Sequence, residues 1–190
     1  DGRISPKFLH PGPGYGGSCF PKDTKEFVEI GRKNGNLIRT IEAAIKTNEY
    51  QKLRMVKKIK KLIGDDFKNK TIGILGLSFK PNTDDVRDSA SIEMIKVIRE
   101  EGGVVNAFDP VASDSMKRIF PDIRYKNSWE EACTDADGVV IMTEWNEFRG
   151  ISLSNLKSIM KTPILLDTRN IIPVEKLKEN GFHFDNVGRI

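Results

Sequence analysis

Beyond residue 70 the chain alternates between two hydrophobic patterns. TIGIL (71–75), VVNAF (104–108), GVVIMT (138–143) and ILLD (164–167) are short apolar runs rich in β-branched side chains. Runs of this kind suit strands buried on both faces. Between them, apolar positions recur at helical spacing near 89–101, 111–119, 128–135, 152–160 and 173–180. Such alternation predicts an α/β fold, a Rossmann-like parallel sheet with helices on both faces. Ligands of these sheets bind beyond the carboxyl ends of the strands. The polar segments following each run, GLSFKPNTDDVRDS, FDP, TEWNEF and DTRN, are therefore where chemistry is expected.

Upstream the pattern is helical. DTKEFVEIGRKNG (23–35) reads as one helix, with Asp23 as N-cap, Glu26 at capping-box spacing and Gly35 as the stop. Residues 38–63 contain neither Gly nor Pro and predict a single helix about 39 Å long. In its second half Met55, Val56, Ile59, Leu62 and Ile63 share one arc, and Arg54, Lys57, Lys58, Lys60 and Lys61 lie mainly on the other. A basic amphipathic helix can serve membranes or nucleic acid; a solvated face on a packed helix is the preferred reading. GDDFKNK (64–70) reads as a linker, which divides the chain into a helical part, 1–66, and an α/β domain, 67–190.

Composition narrows the classes little. The 190 residues are 38% hydrophobic and 31% charged, with a formal net charge of +4 and a pI near 9.0. A mild positive balance favours anionic ligands, phosphates included. No apolar run reaches the roughly 18 residues of a membrane span, and no signal peptide is seen, so a cytoplasmic protein is expected. Cys19 and Cys133 are far apart and suggest neither a disulfide framework nor a metal site. The first residue is Asp1 rather than Met, which raises the expectation of a longer polypeptide.

HPGPGYGGSCFPKD (10–23) holds the most specific chemistry. Gly12, Gly14 and Gly17 spell G-x-G-x-x-G. The dinucleotide fingerprint must follow a strand and run into a helix. Here Pro6 and Pro11 argue against a preceding central strand, and SCFP is expected to separate Gly17 from the next helix. The loop is better read as shaped around Cys19. That thiol is either a nucleophile near the positive end of a helix, with Lys22 adding charge and Asp23 assisting water or proton transfer, or a small cysteine packed in a turn. Both readings stand on residue types alone. Gly16 and Gly17 permit close approach of a substrate.

Lys80 and Arg87 lie in the loop after TIGIL, ahead of a helix expected to begin near Asp88 or Ser89. Two cations and a helix N-terminus make an anion site suited to pyrophosphate. Arg169 adds a third cation at the same sheet edge. Asp109 is either a ribose contact or a turn residue before Pro110. His10 and His183 are isolated and suggest no metal or general-base role, Cys133 reads as packed on a helix, and Trp129 and Trp145 as core or rim.

GYGGSCFPKD closely resembles the catalytic-cysteine motif of the UDP-glucose/GDP-mannose dehydrogenase family. DGRISPKFL, the long helix, GLSFKPNTDDVRDS, FDP, TEWNEF and LLDTRN follow in that family's order along essentially the whole chain. CFPKD is most similar to its UDP-glucose 6-dehydrogenase branch. The resemblance implies a four-electron oxidation of a nucleotide sugar by NAD through a cysteine adduct, with Cys19 as nucleophile and Asp23 assisting. It implies that Phe8, Leu9, His10, Pro11, Gly12 and Gly16 hold the sugar and its phosphates, and that Lys80 and Arg169 contact the substrate. Lys22 and Arg87 would touch NAD, and Arg3 would reach the partner subunit's substrate.

The same resemblance implies a homodimer built on the long helix, a UDP-binding α/β half, and an N-terminal NAD-binding domain upstream bearing the true fingerprint. On this reading 1–66 is the end of a central dimerisation region, and the chain alone is expected to be inactive. Neither a nucleic-acid nor a membrane partner is expected. The alternatives are a GDP-mannose or UDP-N-acetylhexosamine substrate, a non-catalytic nucleotide-sugar-binding and dimerisation module, and last a basic-helix nucleic-acid binder.

Overall fold

A computed structural model describes residues 10–189; Arg3, Phe8 and Leu9 lie outside the described residues. Two helices lead, α1 (Cys19–Lys33) and α2 (Arg39–Leu62). Strands and helices then alternate as β1 (Thr71–Leu75), α3 (Ala90–Glu100), β2 (Val104–Phe108), α4 (Ser113–Lys117), β3 (Arg124–Tyr125), α5 (Trp129–Cys133) and β4 (Gly138–Ile141). After them come α6 (Asn146–Arg149), α7 (Leu153–Ile159), β5 (Ile164–Asp167), α8 (Val174–Glu179) and β6 (His183–Asn186).

The strands form one sheet in the order β3-β2-β1-β4-β5-β6, every pairing parallel. This is the doubly wound order, and the chain changes direction between β1 and β4. The predicted α/β class and its four main strands are present.

The period-2 geometry of the strands divides the core in two. Ile72, Ile74, Val105, Ala107, Val140 and Leu166 face α2 and α3, where Met55, Ile59, Met94, Ile95 and Ile98 cover them. Leu75, Phe108, Val139, Ile141 and Leu165 face the other way, onto Trp129, Cys133, Phe148, Leu156 and Leu177. Burying each large side chain fully contributes about 1.5–3 kcal/mol. The apolar arc of α2 thus packs on the sheet. Two of its lysines are neutralised at the rim, Lys58 by Asp185 at 2.6 Å and Lys60 by Glu101 at 2.8 Å. The basic face is in part a set of ion pairs within the fold.

The start of α1 differs from the expectation. The helix opens at Cys19, with Ser18 as N-cap, so Asp23 lies inside it and caps nothing. Pro21 falls in the first turn, where its missing N–H has no helical partner to lose. The other end matches: Gly35, at φ +72°, donates to Arg32 O, and Asn36 N–H reaches back to Gly31 O at 2.9 Å. This is the Schellman arrangement that Gly favours. No described helix is long and apolar enough to cross a membrane.

Candidate active site

The carboxyl ends of β1, β4 and β5 converge where α2 and the glycine-rich loop cross the sheet edge. A cavity of ≈ 670 Å³ opens there, lined by His10, Gly12, Tyr15, Asn48, Phe79 and Arg169 among others. That size suits a ligand of cofactor or nucleotide class.

The glycine-rich loop is held from two sides. From α2, Gln51 Nε2 donates to Gly12 O at 3.0 Å, while Asn48 Oδ1 accepts Tyr15 N–H at 2.7 Å and Asn48 Nδ2 donates to Tyr15 O at 3.1 Å. From the β1–α3 loop, Arg87 O accepts Gly17 N–H at 2.8 Å. Glycine is required at Gly16, where a Cβ would stand 2.5 Å from Asp88 O. It is required again at Gly17, whose φ of +89° and contact with the Phe79 ring leave no room for a side chain.

The G-x-G-x-x-G match therefore runs closer to a helix than expected, two residues short of Cys19. Residues 10–18 nevertheless contain no strand, so the fingerprint's context is absent among the described residues.

Cys19 is exposed at the first position of α1, its Sγ 3.6 Å from Ser18 Oγ. The thiol is not packed within the turn. Cys133 is the opposite case: it is buried at the end of α5, and desolvation pushes its thiol far up, with Glu130 adding to the effect. Lys22 and Asp23 project from α1 and pair with each other at 3.3 Å.

The β1–α3 loop brings up its cations differently from one another. Lys80 is exposed, with Nζ 5.3 Å from the centroid of the Phe79 ring. Arg87 is committed to Asp85 through two hydrogen bonds, 2.9 and 2.7 Å. The side-chain bond from Arg87 holds the Asp85 carboxyl below the usual carboxylate range. The expectation of a free helix N-terminus here needs correction. Ser89 Oγ accepts Ser91 N–H and Ser89 O accepts Ile92 N–H, while Gly16 lies against Asp88. Two N–H groups of the first turn of α3 are thus taken up inside the protein.

Arg169, after β5, is mostly buried, at 16% side-chain exposure. Its Nε donates to Met142 O at 2.7 Å and its Nη2 to Phe79 O at 3.1 Å; Glu144 Oε2 stands 3.1 Å from Nε. Burial lowers its pKa, opposed by Glu144 and Asp167. Nη1 points toward Gly12, where a Cβ would come within 3.2 Å. One guanidinium thus links the loops after β1, β4 and β5 and borders the cavity.

Asp109 is settled as structural. It is buried, and its two oxygens accept from Leu77 N, Ser78 N, Ser78 Oγ, Val111 N, Ala112 N and Trp145 Nε1. No lone pair is left for a ribose.

The structure thus gathers His10, Gly12, Gly16 and Arg169 at one cavity and sets the Lys80–Arg87 loop against the cysteine loop. Pro11 is exposed beside His10. Lys22 and Asp23, three and four residues after Cys19 on α1, are exposed on the same helix face as the thiol. Asn48, Gln51, Phe79 and Glu144 went unnoticed in the sequence. The only signal for the first two was a pair of amides three residues apart on the helix arc that packs. Among the described residues no cluster of His, Cys, Asp and Glu could hold a metal.

Comparison with known proteins adds to this geometry. The family model for the UDP-binding domain of the UDP-glucose/GDP-mannose dehydrogenase family matches residues 73–174, and that for the family's central domain matches residues 1–50. A UDP-glucose 6-dehydrogenase of Rhizobium meliloti is 41% identical over 189 residues, covering 100% of this chain and 43% of the relative. The UDP-glucose 6-dehydrogenase TuaD of Bacillus subtilis is 37% identical over 190 residues, 100% of this chain and 41% of its own. Among solved structures, a UDP-glucose dehydrogenase from the archaeon Pyrobaculum islandicum superposes with a TM-score of 0.84 at 31% identity, covering 97% of this chain and 40% of that one. The chain spans about two fifths of the length of the curated relatives it matches.

Proposed function

Because the chain belongs to the UDP-glucose/GDP-mannose dehydrogenase family, we propose that it is the cysteine-bearing and UDP-binding part of an NAD-dependent UDP-glucose 6-dehydrogenase. The observation that carries this reading is Cys19: an exposed thiol at a helix start, on a loop that also walls a nucleotide-sized cavity at the sheet's switch point. The preference for UDP-glucose over GDP-mannose or an N-acetylated sugar rests on the relatives at 37–41% identity.

The chemistry explains the thiol. Oxidising a primary alcohol to an acid removes two hydrides from one carbon, and the aldehyde left by the first keeps a C–H but has no hydroxyl on that carbon to drive out the second hydride until a nucleophile adds. The Cys19 thiolate adds to the aldehyde carbon and the oxygen takes a proton, giving a thiohemiacetal. Loss of the second hydride and of that proton gives a thioester. Water then attacks, the C–S bond breaks, and the uronate leaves with the thiol restored. Asp23 assists the water and proton steps. Lys80 contacts the substrate and Arg169 its anionic part, with His10, Pro11, Gly12 and Gly16 against the sugar and phosphates. Phe8 and Leu9, and Arg3 reaching a partner's substrate, complete this assignment.

NAD, when bound, supplies the hydride acceptor for each oxidation. The described residues fit it only at an edge. Lys22 and Arg87 are exposed cations beside Cys19 that suit its phosphates. The β1 turn, however, uses Gly76 (φ +95°) to seat Thr143, which lies 2.4 Å from where a Cβ would be, rather than to cradle a pyrophosphate. The remaining NAD contacts are assigned to an N-terminal domain upstream. Exposed Phe27, Ile30, Leu37, Tyr50 and Leu53 on and around α1 and α2 support a homodimer through this helical region.

The test is Cys19→Ala in a polypeptide joining this chain to its NAD-binding domain. Turnover of UDP-glucose should vanish while UDP affinity stays within about twofold. Retained turnover would end the covalent mechanism.

A further inference from the structure

We propose that Asn48 is a positioning residue for the cysteine loop: from α2 it fixes the Tyr15 peptide and so sets where Cys19 stands relative to the cavity. The proposal rests on the reading of Cys19 as nucleophile.

Asn48 sits on the packed arc of a helix that otherwise contributes Met55, Val56 and Ile59 to the core, yet it is polar and only 7% exposed. Burying an amide is unfavourable unless its groups are paired. Here both ends are used on one residue, Oδ1 on Tyr15 N–H at 2.7 Å and Nδ2 on Tyr15 O at 3.1 Å. The loop is shaped to permit this. Gly14 takes φ +116° and runs so close that a Cβ would lie 2.7 Å from Asn48 Oδ1.

The effect reaches past the cysteine. The Tyr15 ring meets Phe20 edge-on at 4.7 Å, so the residue held by Asn48 also braces the first turn of α1. Between Gly12 and Gly17 the loop has three polar anchors: Gln51 on Gly12 O, Asn48 on Tyr15, and Arg87 O on Gly17 N–H. Asn48 is the central one and makes two of the four bonds. Cys19 begins its helix two residues beyond the last anchor. With Asn48 gone, the segment from Gly12 to Gly17 is tied only at its ends.

The experiment compares the intact protein with Asn48→Ala and Asn48→Asp. Chymotrypsin under native conditions reads the Tyr15–Gly16 bond. Iodoacetamide labelling, with and without saturating UDP-glucose, reads Cys19, and labelling of buried Cys133 reports whether the sheet stays folded. Asn48→Ala should be cut after Tyr15 at least about tenfold faster, as loss of two hydrogen bonds predicts. It should also lose the shielding of Cys19 by UDP-glucose while Cys133 stays unlabelled. Asn48→Asp keeps an acceptor for Tyr15 N–H and should recover part of both. Parent-like cutting and shielding in Asn48→Ala would overturn the proposal. So would concurrent labelling of Cys133, because the residue would then support the whole fold rather than the loop. Absence of shielding in the unmodified protein would instead refute the nucleotide-sugar reading, so the two failures are distinct.

Discussion

Replacing Asp109 with alanine should damage this protein more than any surface charge deletion. The carboxylate is 3% exposed and accepts from six donors. They belong to three segments: Leu77 and Ser78 after β1, Val111 and Ala112 after β2, and the Trp145 indole before α6. Hydrogen bonds to a charged group contribute about 1.5–3 kcal/mol each, and a buried donor left unpaired costs about 1–3 kcal/mol. These terms do not add, since exposed Val111 can turn its N–H toward water, whereas Ser78 stays buried. A loss of about 4 kcal/mol is expected, at the edge of what single substitutions do. For a chain of this size that lowers the melting temperature by roughly 8–16 °C. Asp109→Asn keeps one acceptor oxygen but sets an NH₂ against backbone donors, and should lose about half as much. Urea and thermal unfolding, followed by circular dichroism, read both. The substitution also frees the segment leading to Phe79 and Lys80, so the stabilisation conferred by UDP should shrink. A loss under about 1 kcal/mol for Asp109→Ala would refute the view that this side chain ties the three loops together.

Three further outcomes are expected. Iodoacetamide at pH 8 should modify one thiol per native chain, Cys19, and peptide mass spectrometry should find Cys133 untouched until denaturant is added. Gly16→Ala places a Cβ against the rigid Asp88 carbonyl and should cost about 1–3 kcal/mol in a melting assay. The Asp85–Arg87 pair should show in acid. Arg87 lowers the folded pKa of Asp85, so the pair's stabilisation is complete above the unfolded value near pH 3.9 and is lost as pH falls through the lower folded value. Asp85→Asn should flatten the fall in melting temperature below about pH 4. The effect is small, because Arg87 is mostly exposed.

Much of the fold was legible because its signals are local. TIGIL, VVNAF, GVVI and ILLD are buried on both faces and read as continuous apolar runs. The arc from Met55 to Ile63 keeps helical period along a chain with no breaker. The two edge strands were not legible. Arg124–Tyr125 is two residues long, and HFDN is polar where it meets solvent, so only pairing with β2 and β5 makes them strands. The start of α1 was misplaced because Asp23 and Glu26 mimic a capping box, whereas the true opening has no side-chain cap and a proline in its first turn.

At the site, glycines and cations were visible as residue types, but their roles depend on what stands opposite. Asp109 read equally as a ribose contact or a turn residue before Pro110, and the structure takes the turn, its oxygens filled by backbone and side-chain donors. Asn48 and Gln51 carry no local signal of a role, and only the crossing of α2 beneath the loop gives them partners.

The measurement closest to the central claim is the rate of Cys19 alkylation in the unaltered protein, taken with saturating UDP-glucose and again with GDP-mannose. A sulfur that faces a sugar whose UDP the sheet holds should be slowed at least about tenfold by UDP-glucose and much less by GDP-mannose, with Cys133 silent in both. An alkylation rate unchanged by UDP-glucose would contradict the account.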